Sequence, residues 1–187
     1  MSRGVAGVVS REVCGVVIEP PGPHGDSTPM PEGLDSQVRL LRSIGLRRVT
    51  VSPSRRLSPG HPIQALVIEG GEDGLTPIHG IVAAMRASPH RHLFVLRSDL
   101  TPVERSILLT LLRRCRPTSG ACLRIEGRRW EPLCAVYPPN SLSAAEHEAC
   151  SDGTPGSLLA ILLSAGRISG LDLTAAYDVH PRPRSPR

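Results

Sequence analysis

Short apolar runs alternate along this chain with segments whose apolar residues recur at helical spacing. Val13-Cys14-Gly15-Val16-Val17-Ile18 is continuously apolar, as expected of a strand covered on both faces. A Pro/Gly-rich stretch from Pro20 to Gly33 follows. Leu34, Val38, Leu41 and Ile44 then recur at the spacing of one helix face, and Gly45 suits the helix end. Val49-Thr50-Val51 and Ala65-Leu66-Val67-Ile68 read as two further strands. Ile78 to Ala87 reads as a helix after the Thr76-Pro77 turn. Leu93 to Leu96 is a fourth strand, and Pro102 to Cys115 a helix with Glu104 in its first turn, where the helix dipole favours an acid. Ala121 to Ile125 and Leu133 to Tyr137 look like strands flanking a polar hairpin, Glu126 to Arg129. Ser141 to Cys150 and Ser157 to Ala165 close the pattern as helices. Strands alternating with helices predict βαβ units and an α/β domain with a mostly parallel sheet.

The chain has 187 residues, the size of one ordinary domain. The pattern predicts an N-terminal extension over 1–12 of weak apolar character, read as an extra edge strand or a floppy extension, a domain over 13–180 and a disordered Pro/Arg tail over 181–187. No internal repeat is visible. Aromatic residues are scarce, so Leu, Ile, Val and Ala must fill the core. All 22 Lys/Arg positions are Arg. Schiff-base chemistry, Lys general bases and Walker-type phosphate lysines are therefore excluded. Phosphate contacts must come from Arg, backbone N–H groups or a metal.

The net charge of +5 points only weakly to acidic partners, because the arginines are scattered in pairs such as Arg47-Arg48 and Arg113-Arg114. Nucleic-acid binders cluster charge on one face and interleave aromatics, so no nucleic-acid partner is expected. A small anionic ligand such as a nucleotide fits better. The five cysteines form no Cys-x-x-Cys pair, which argues against a zinc or thioredoxin-type site, and Cys14 and Cys134 read as small buried hydrophobes. Arg3 and Arg11 interrupt the apolar N-terminus, so no signal peptide is expected. The apolar run Ser157 to Ala165 is far shorter than a membrane span. A reducing cytoplasm is the expected location.

The sharpest chemical candidate is Asp99. The run His92 to Leu96 ends in Arg97-Ser98-Asp99, and a Thr101-Pro102 turn follows. Open α/β sheets collect ligands at the carboxyl ends of their strands. A carboxylate there can hold Mg²⁺ together with substrate phosphates. The plainer alternative is that Asp99 caps the helix beginning near Pro102. The metal reading needs Asp99 at a cleft and free of a neighbouring guanidinium.

Five local patterns, in order, resemble the MobA-like nucleotidyltransferases, and among them the molybdenum cofactor guanylyltransferases. Cys14-Gly15-Val16-Val17-Ile18-Glu19 resembles the family's opening strand. Gly74-Leu75-Thr76-Pro77-Ile78-His79-Gly80-Ile81 resembles its Gly-Pro-Leu-x-Gly-Ile turn. Leu96-Arg97-Ser98-Asp99-Leu100-Thr101-Pro102 resembles its Cys-Asp-Met-Pro segment. Glu131-Pro132-Leu133-Cys134-Ala135-Val136-Tyr137 resembles its late Pro-Leu-x-Ala-x-Tyr strand, and Gly156-Ser157-Leu158 its later turn. The resemblance runs from about Cys14 to Val179. It implies a Rossmann-like three-layer α/β/α sandwich of the nucleotide-diphospho-sugar transferase type. It further implies Mg²⁺-dependent transfer of GMP from GTP to molybdopterin cofactor. Asp99 would be the catalytic position and a metal ligand, with Asp178 in Tyr177-Asp178-Val179-His180-Pro181 as a second ligand. Gly22, Gly25, Thr76, Gly80 and Arg97 would contact the nucleotide. His79 reads as a polar turn residue without a catalytic role.

The first loop departs from the family pattern. Glu19-Pro20-Pro21-Gly22-Pro23-His24-Gly25-Asp26 stands where a Gly-rich loop with Arg and a following Lys would cradle phosphates. Its prolines lack N–H donors. Glu19 and Asp26 bring negative charge. Two unit charges about 4 Å apart repel by ~4 kcal/mol at an effective dielectric of 20, and ~1.4 kcal/mol is a tenfold change in affinity. Arg39, Arg97 or the metal would have to compensate. Three readings follow: a transferase weakened by this loop, a non-catalytic homologue that binds a cofactor or a protein partner, and an unrelated α/β domain.

Overall fold

The computed structural model describes residues 13–18, 32–52, 66–67, 76–89, 91–100, 103–125 and 129–172. Seven strands are present: β1 Val13–Ile18, β2 Val49–Ser52, β3 Leu66–Val67, β4 His92–Arg97, β5 Gly120–Ile125, β6 Arg129–Tyr137 and β7 Ile168–Asp172. Five α-helices accompany them: α1 Glu32–Ser43, α2 Pro77–Ala87, α3 Arg105–Arg114, α4 Leu142–Cys150 and α5 Pro155–Ser164. The strands form one sheet in the order β3-β2-β1-β4-β6-β5-β7. β6 is antiparallel to both β4 and β5, and every other neighbouring pair is parallel. The mostly parallel sheet expected from the sequence is therefore present.

The two faces of the sheet explain the apolar runs. Val13 and Val17 of β1 and Phe94 and Leu96 of β4 bury with Leu34, Val38 and Leu41 of α1 and Leu108 and Leu111 of α3. Cys14, Val16, Ile18, Leu93 and Val95 bury on the other face with Ile78, Ile81 and Met85 of α2, Ala145 of α4 and Leu158 and Leu162 of α5. Strands covered on both faces have no polar alternation, which is why β1 and β4 read as unbroken hydrophobic stretches. The result is the three-layer sandwich.

Helix ends follow the local chemistry. Gly45 has φ 95°, a backbone conformation that costs glycine little. It lets Gly45 N–H reach Arg42 O at 2.9 Å and Leu46 N–H reach Leu41 O at 3.2 Å, the paired bonds of a Schellman ending. At the start of α5, Thr154 and Ser157 exchange side-chain and backbone hydrogen bonds in a capping box. Two expectations need correction at α3. The helix begins at Arg105, and Glu104 is its N-cap rather than a first-turn acid. The Glu104 carboxylate accepts from the Ser106 hydroxyl at 3.1 Å and makes no capping bond. Asp99 does not cap this helix either.

β7 was not anticipated, because Ile168-Ser169-Gly170-Leu171-Asp172 has poor strand propensity. Packing supplies the reason for its glycine. A Cβ at Gly170 would stand 2.0 Å from the Trp130 ring. Trp130 in turn lies under the Arg124 guanidinium, 5.3 Å from ring centroid to carbon. The Gly170→Ala variant should lose roughly 1–3 kcal/mol of stability, the usual cost of overpacking. Urea unfolding midpoints measure this. In a Trp130→Leu background the same substitution should cost much less, and an unchanged penalty there would refute the explanation.

Candidate functional site

Neighbouring strands β1 and β4 define the place to look. The chain leaves β1 toward β2 and β3 on one side and returns with β4 on the other. In open α/β sheets the carboxyl ends of strands at such a reversal are the usual ligand position. The ladder extends one residue past β4, where Ser98 N–H donates to Ile18 O at 2.9 Å. Asp99 comes directly after it, in the turn at the carboxyl end of β4.

β4 ends at Arg97, and the turn that follows brings Asp99 back beside it. Arg97 and Asp99 use it to form a bidentate ion pair, with Nε to Oδ1 at 2.6 Å and Nη2 to Oδ2 at 2.7 Å. The Arg97 hydrogen bond holds the Asp99 carboxyl below its ordinary range, against an opposing effect of partial burial. The same bond raises Arg97, and the nearby Glu131 charge adds to it. Glu131 itself accepts from Leu133 N–H at 3.1 Å. Asp99 is thus a paired carboxylate, not the unencumbered ligand that the sequence suggested. The side chains are 34% and 47% exposed, so solvent reaches the pair. A half-exposed pair of this kind is worth about 0.2–1 kcal/mol.

Gln37 braces the following residue. It is buried on α1, and its Nε2 donates to Leu100 O at 3.1 Å. The 97–100 segment is therefore held by an ion pair, by β1 and by α1. Sequence reasoning missed Gln37, although its position beside Leu34, Val38 and Leu41 on an otherwise apolar helix stripe was a usable signal.

α2 connects parallel β3 to parallel β4, so its N-terminus lies at the same sheet edge as Asp99. Thr76 is its exposed N-cap and makes no side-chain capping bond. The Thr76 hydroxyl instead lies 2.9 Å from His79 Nδ1, which accords with a local polar role for His79. Gly80 is buried within α2 among the residues that pack on the sheet. Thr76, Arg97 and Asp99 thus share one edge. Gly22, Gly25 and Asp178 lie outside the described residues. Among the described residues, no three His, Cys, Asp or Glu side chains gather as a metal cluster. A cation on Asp99 would draw on this one carboxylate together with phosphate oxygens, the donor set Mg²⁺ commonly uses. Asp99 suits that role in donor type and exposure, but Arg97 occupies both of its oxygens, so the condition of a carboxylate free of a neighbouring guanidinium is not met in this structure.

This architecture defines a nucleotidyltransferase-like α/β domain. The family model for the MobA-like NTP transferase domain matches residues 32–167, and the chain belongs to that family. A protein of Opitutus terrae named "Probable molybdenum cofactor guanylyltransferase" is 34% identical over 114 residues, covering 59% of this chain and 55% of that protein. The molybdenum cofactor guanylyltransferase of a Pseudomonas putida strain is 29% identical over 107 residues, covering 57% and 54%. The chain thus spans about half the length of the curated relatives it matches. The crystal structure of molybdopterin-guanine dinucleotide biosynthesis protein A from Archaeoglobus fulgidus superposes with a TM-score of 0.61 at 17% identity, covering 88% of this chain and 86% of that one. That likeness confirms the fold.

Replacing Arg97 tests the electrostatics. Asp99 has a depressed pKa in the folded protein, so its contribution to stability is present above the ordinary carboxylate value of about 3.9 and is lost as pH falls below it. Arg97→Ala should cost no more than about 1 kcal/mol at neutral pH, and the difference from wild type should close in acid. Carboxyl-carbon NMR titration should show Asp99 moving up toward its ordinary range. An unmoved Asp99 would contradict the pairing.

Proposed function

We propose that this protein is a nucleotidyltransferase of the molybdenum cofactor guanylyltransferase type, with turnover weakened by its first loop. GTP and molybdopterin cofactor would be its substrates, and Mg²⁺ its metal. The observation that carries this reading is the carboxylate placed directly after β4 at the β1/β4 reversal, inside a domain of this family. In phosphoryl transfer, positioning and charge neutralisation supply nearly all the catalysis, so the chain needs no protein nucleophile. Mg²⁺ would supply charge neutralisation on the phosphates. Asp99 would hold it, with Asp178 as the proposed second ligand. Arg97 would move from Asp99 to a phosphate, and Thr76 would line the same edge. Without any lysine, arginine takes the cationic role.

A magnitude supports this exchange. Releasing a half-exposed ion pair costs at most about 1 kcal/mol, and phosphate returns a charge-assisted contact to Arg97. No helix among the described residues is long and apolar enough to cross a membrane. All five cysteines are free, and Cys14, Cys122 and Cys134 are buried, which accords with the reducing cytoplasm proposed as the location.

A second reading is favoured by the same ion pair. A homologue that has abandoned catalysis would keep the fold, leave Asp99 neutralised by Arg97 and bind a cofactor or a protein partner. Calorimetric titration of GTP with Mg²⁺ separates the two. The transferase reading expects saturable binding that weakens at least tenfold in Asp99→Ala, and pyrophosphate release when molybdopterin cofactor is added. A wild type that binds no GTP but co-purifies with another chain would establish the second reading.

A further inference from the structure

Three residues stand abreast at the carboxyl end of β5. Arg124 is in register with Trp130 of β6 on one side and with Asp172 of β7 on the other. Cross-strand neighbours of this kind lie side by side. Because β6 runs antiparallel to both β4 and β5, β5 and β7 end at the same sheet edge as β4. The order β4-β6-β5 sets Arg124 two strands from β4, roughly 10 Å away at about 4.8 Å per strand, on the side away from β1.

Arg124 is held by its flat face and not by its donors. Its Cζ lies 5.3 Å from the Trp130 ring centroid, within cation–π range. The ring itself sits where Gly170 leaves space. Asp172 Oδ2 is 3.6 Å from Arg124 Nη1, close enough for attraction but too far for a hydrogen bond. Arg86, Arg97, Arg114 and Arg167 each donate to a protein oxygen, whereas Arg124 donates to none among the described residues. Its side chain is 38% exposed, so solvent reaches it. Asp172 stands on the Nη1 side, and Nε and Nη2, the pair that Arg97 uses on Asp99, remain for two oxygens of another anion. A guanidinium fork matches a phosphate at two points, and a fork already fixed in place loses less freedom on binding.

We propose that Arg124, stacked on Trp130, is an oxyanion site for a phosphomonoester, and that this phosphate belongs to the acceptor substrate. The site rests on its own geometry. Its assignment to the acceptor rests on the transferase reading above, which puts the nucleotide at the β1/β4 reversal.

Trp130 is the only tryptophan of the chain, so its emission reports on the site directly. Inorganic phosphate, titrated into the full chain at an ionic strength held constant with chloride, should change that emission saturably. Calorimetry should return the same affinity, and Arg124→Gln should weaken it roughly tenfold. Arg124→Lys keeps the charge but loses the fork, so it should weaken phosphate too, and it decides the case should Arg124→Gln fail to fold. A folded wild type without a saturable response, a response that chloride alone reproduces, or an affinity unchanged in the variant would overturn the site and leave Arg124 a structural staple between β5, β6 and β7. GTP with Mg²⁺ separates the two sources of phosphate. Inorganic phosphate that stays bound beside GTP supports the acceptor's position. Phosphate displaced by GTP marks the nucleotide's own, and the acceptor assignment falls. A wild type that takes phosphate at Arg124 but no GTP would overturn the transferase reading, and with it the acceptor assignment, while the oxyanion site stands.

Discussion

The parallel pairing of β1 with β4 is the constraint on which the rest depends. It runs from Val13 beside His92 to Ile18 beside Arg97, and Ser98 N–H extends it by one more bond. Because β2 and β3 lie on the far side of β1, this pairing is also where the chain reverses its direction of travel across the sheet. The geometry that completes the ladder therefore delivers Ser98 and Asp99 to the carboxyl end of the β1/β4 reversal. A one-residue slip would exchange the faces of every β4 side chain. Phe94 and Leu96 would leave α1. Core packing and site geometry are thus specified by one register.

Much of this was legible in the sequence, and for identifiable reasons. β1 and β4 are buried on both faces, so their apolar runs are hard to misread. α1 has a clean apolar stripe and a glycine whose positive φ ends it. What escaped depended on contacts distant in sequence. β7 owes its existence to parallel pairing with β5 and to the space that Gly170 leaves for Trp130. The start of α3 depends on Glu104, whose carboxylate prefers the Ser106 hydroxyl to the helix amides. Asp99 was located correctly at the strand end, but its engagement by Arg97 follows from the turn after β4 rather than from composition. Gln37 and Ser98 went unnoticed because an isolated polar residue in an apolar stripe has many ordinary explanations.

The absence of lysine shapes the electrostatics of the site. Arginine presents a planar fork that matches a carboxylate at two points, whereas an ammonium is a compact point charge. Arg97 ends β4 and Asp99 stands in the turn after it, so the fork meets both carboxylate oxygens. A lysine at position 97 could reach the same carboxylate but would hold it less specifically. On the proposed function, the all-arginine composition therefore makes this guanidinium a competitor of any cation for Asp99. Glu131 moderates this competition. Its charge gives Arg97 a second acidic neighbour, so the guanidinium is not dedicated to Asp99 alone.

Whether such a site turns over depends on where the cost of rearrangement falls. The Arg97–Asp99 pair is half-exposed, and water can solvate either partner as it separates, so the pair is a shallow trap. Buried, the same two hydrogen bonds would be a deep one, because separating them would strand charge in a low-dielectric interior. The larger obstacle is the first loop. On the proposed function, Pro20, Pro21 and Pro23 lack backbone donors in the loop expected to cradle phosphate, and Glu19 and Asp26 would add repulsion there. The balance therefore turns on phosphate neutralisation rather than on freeing the carboxylate. On the proposed function Arg97 would supply it, since leaving Asp99 would both free that carboxylate for a cation and bring a positive charge to the anion.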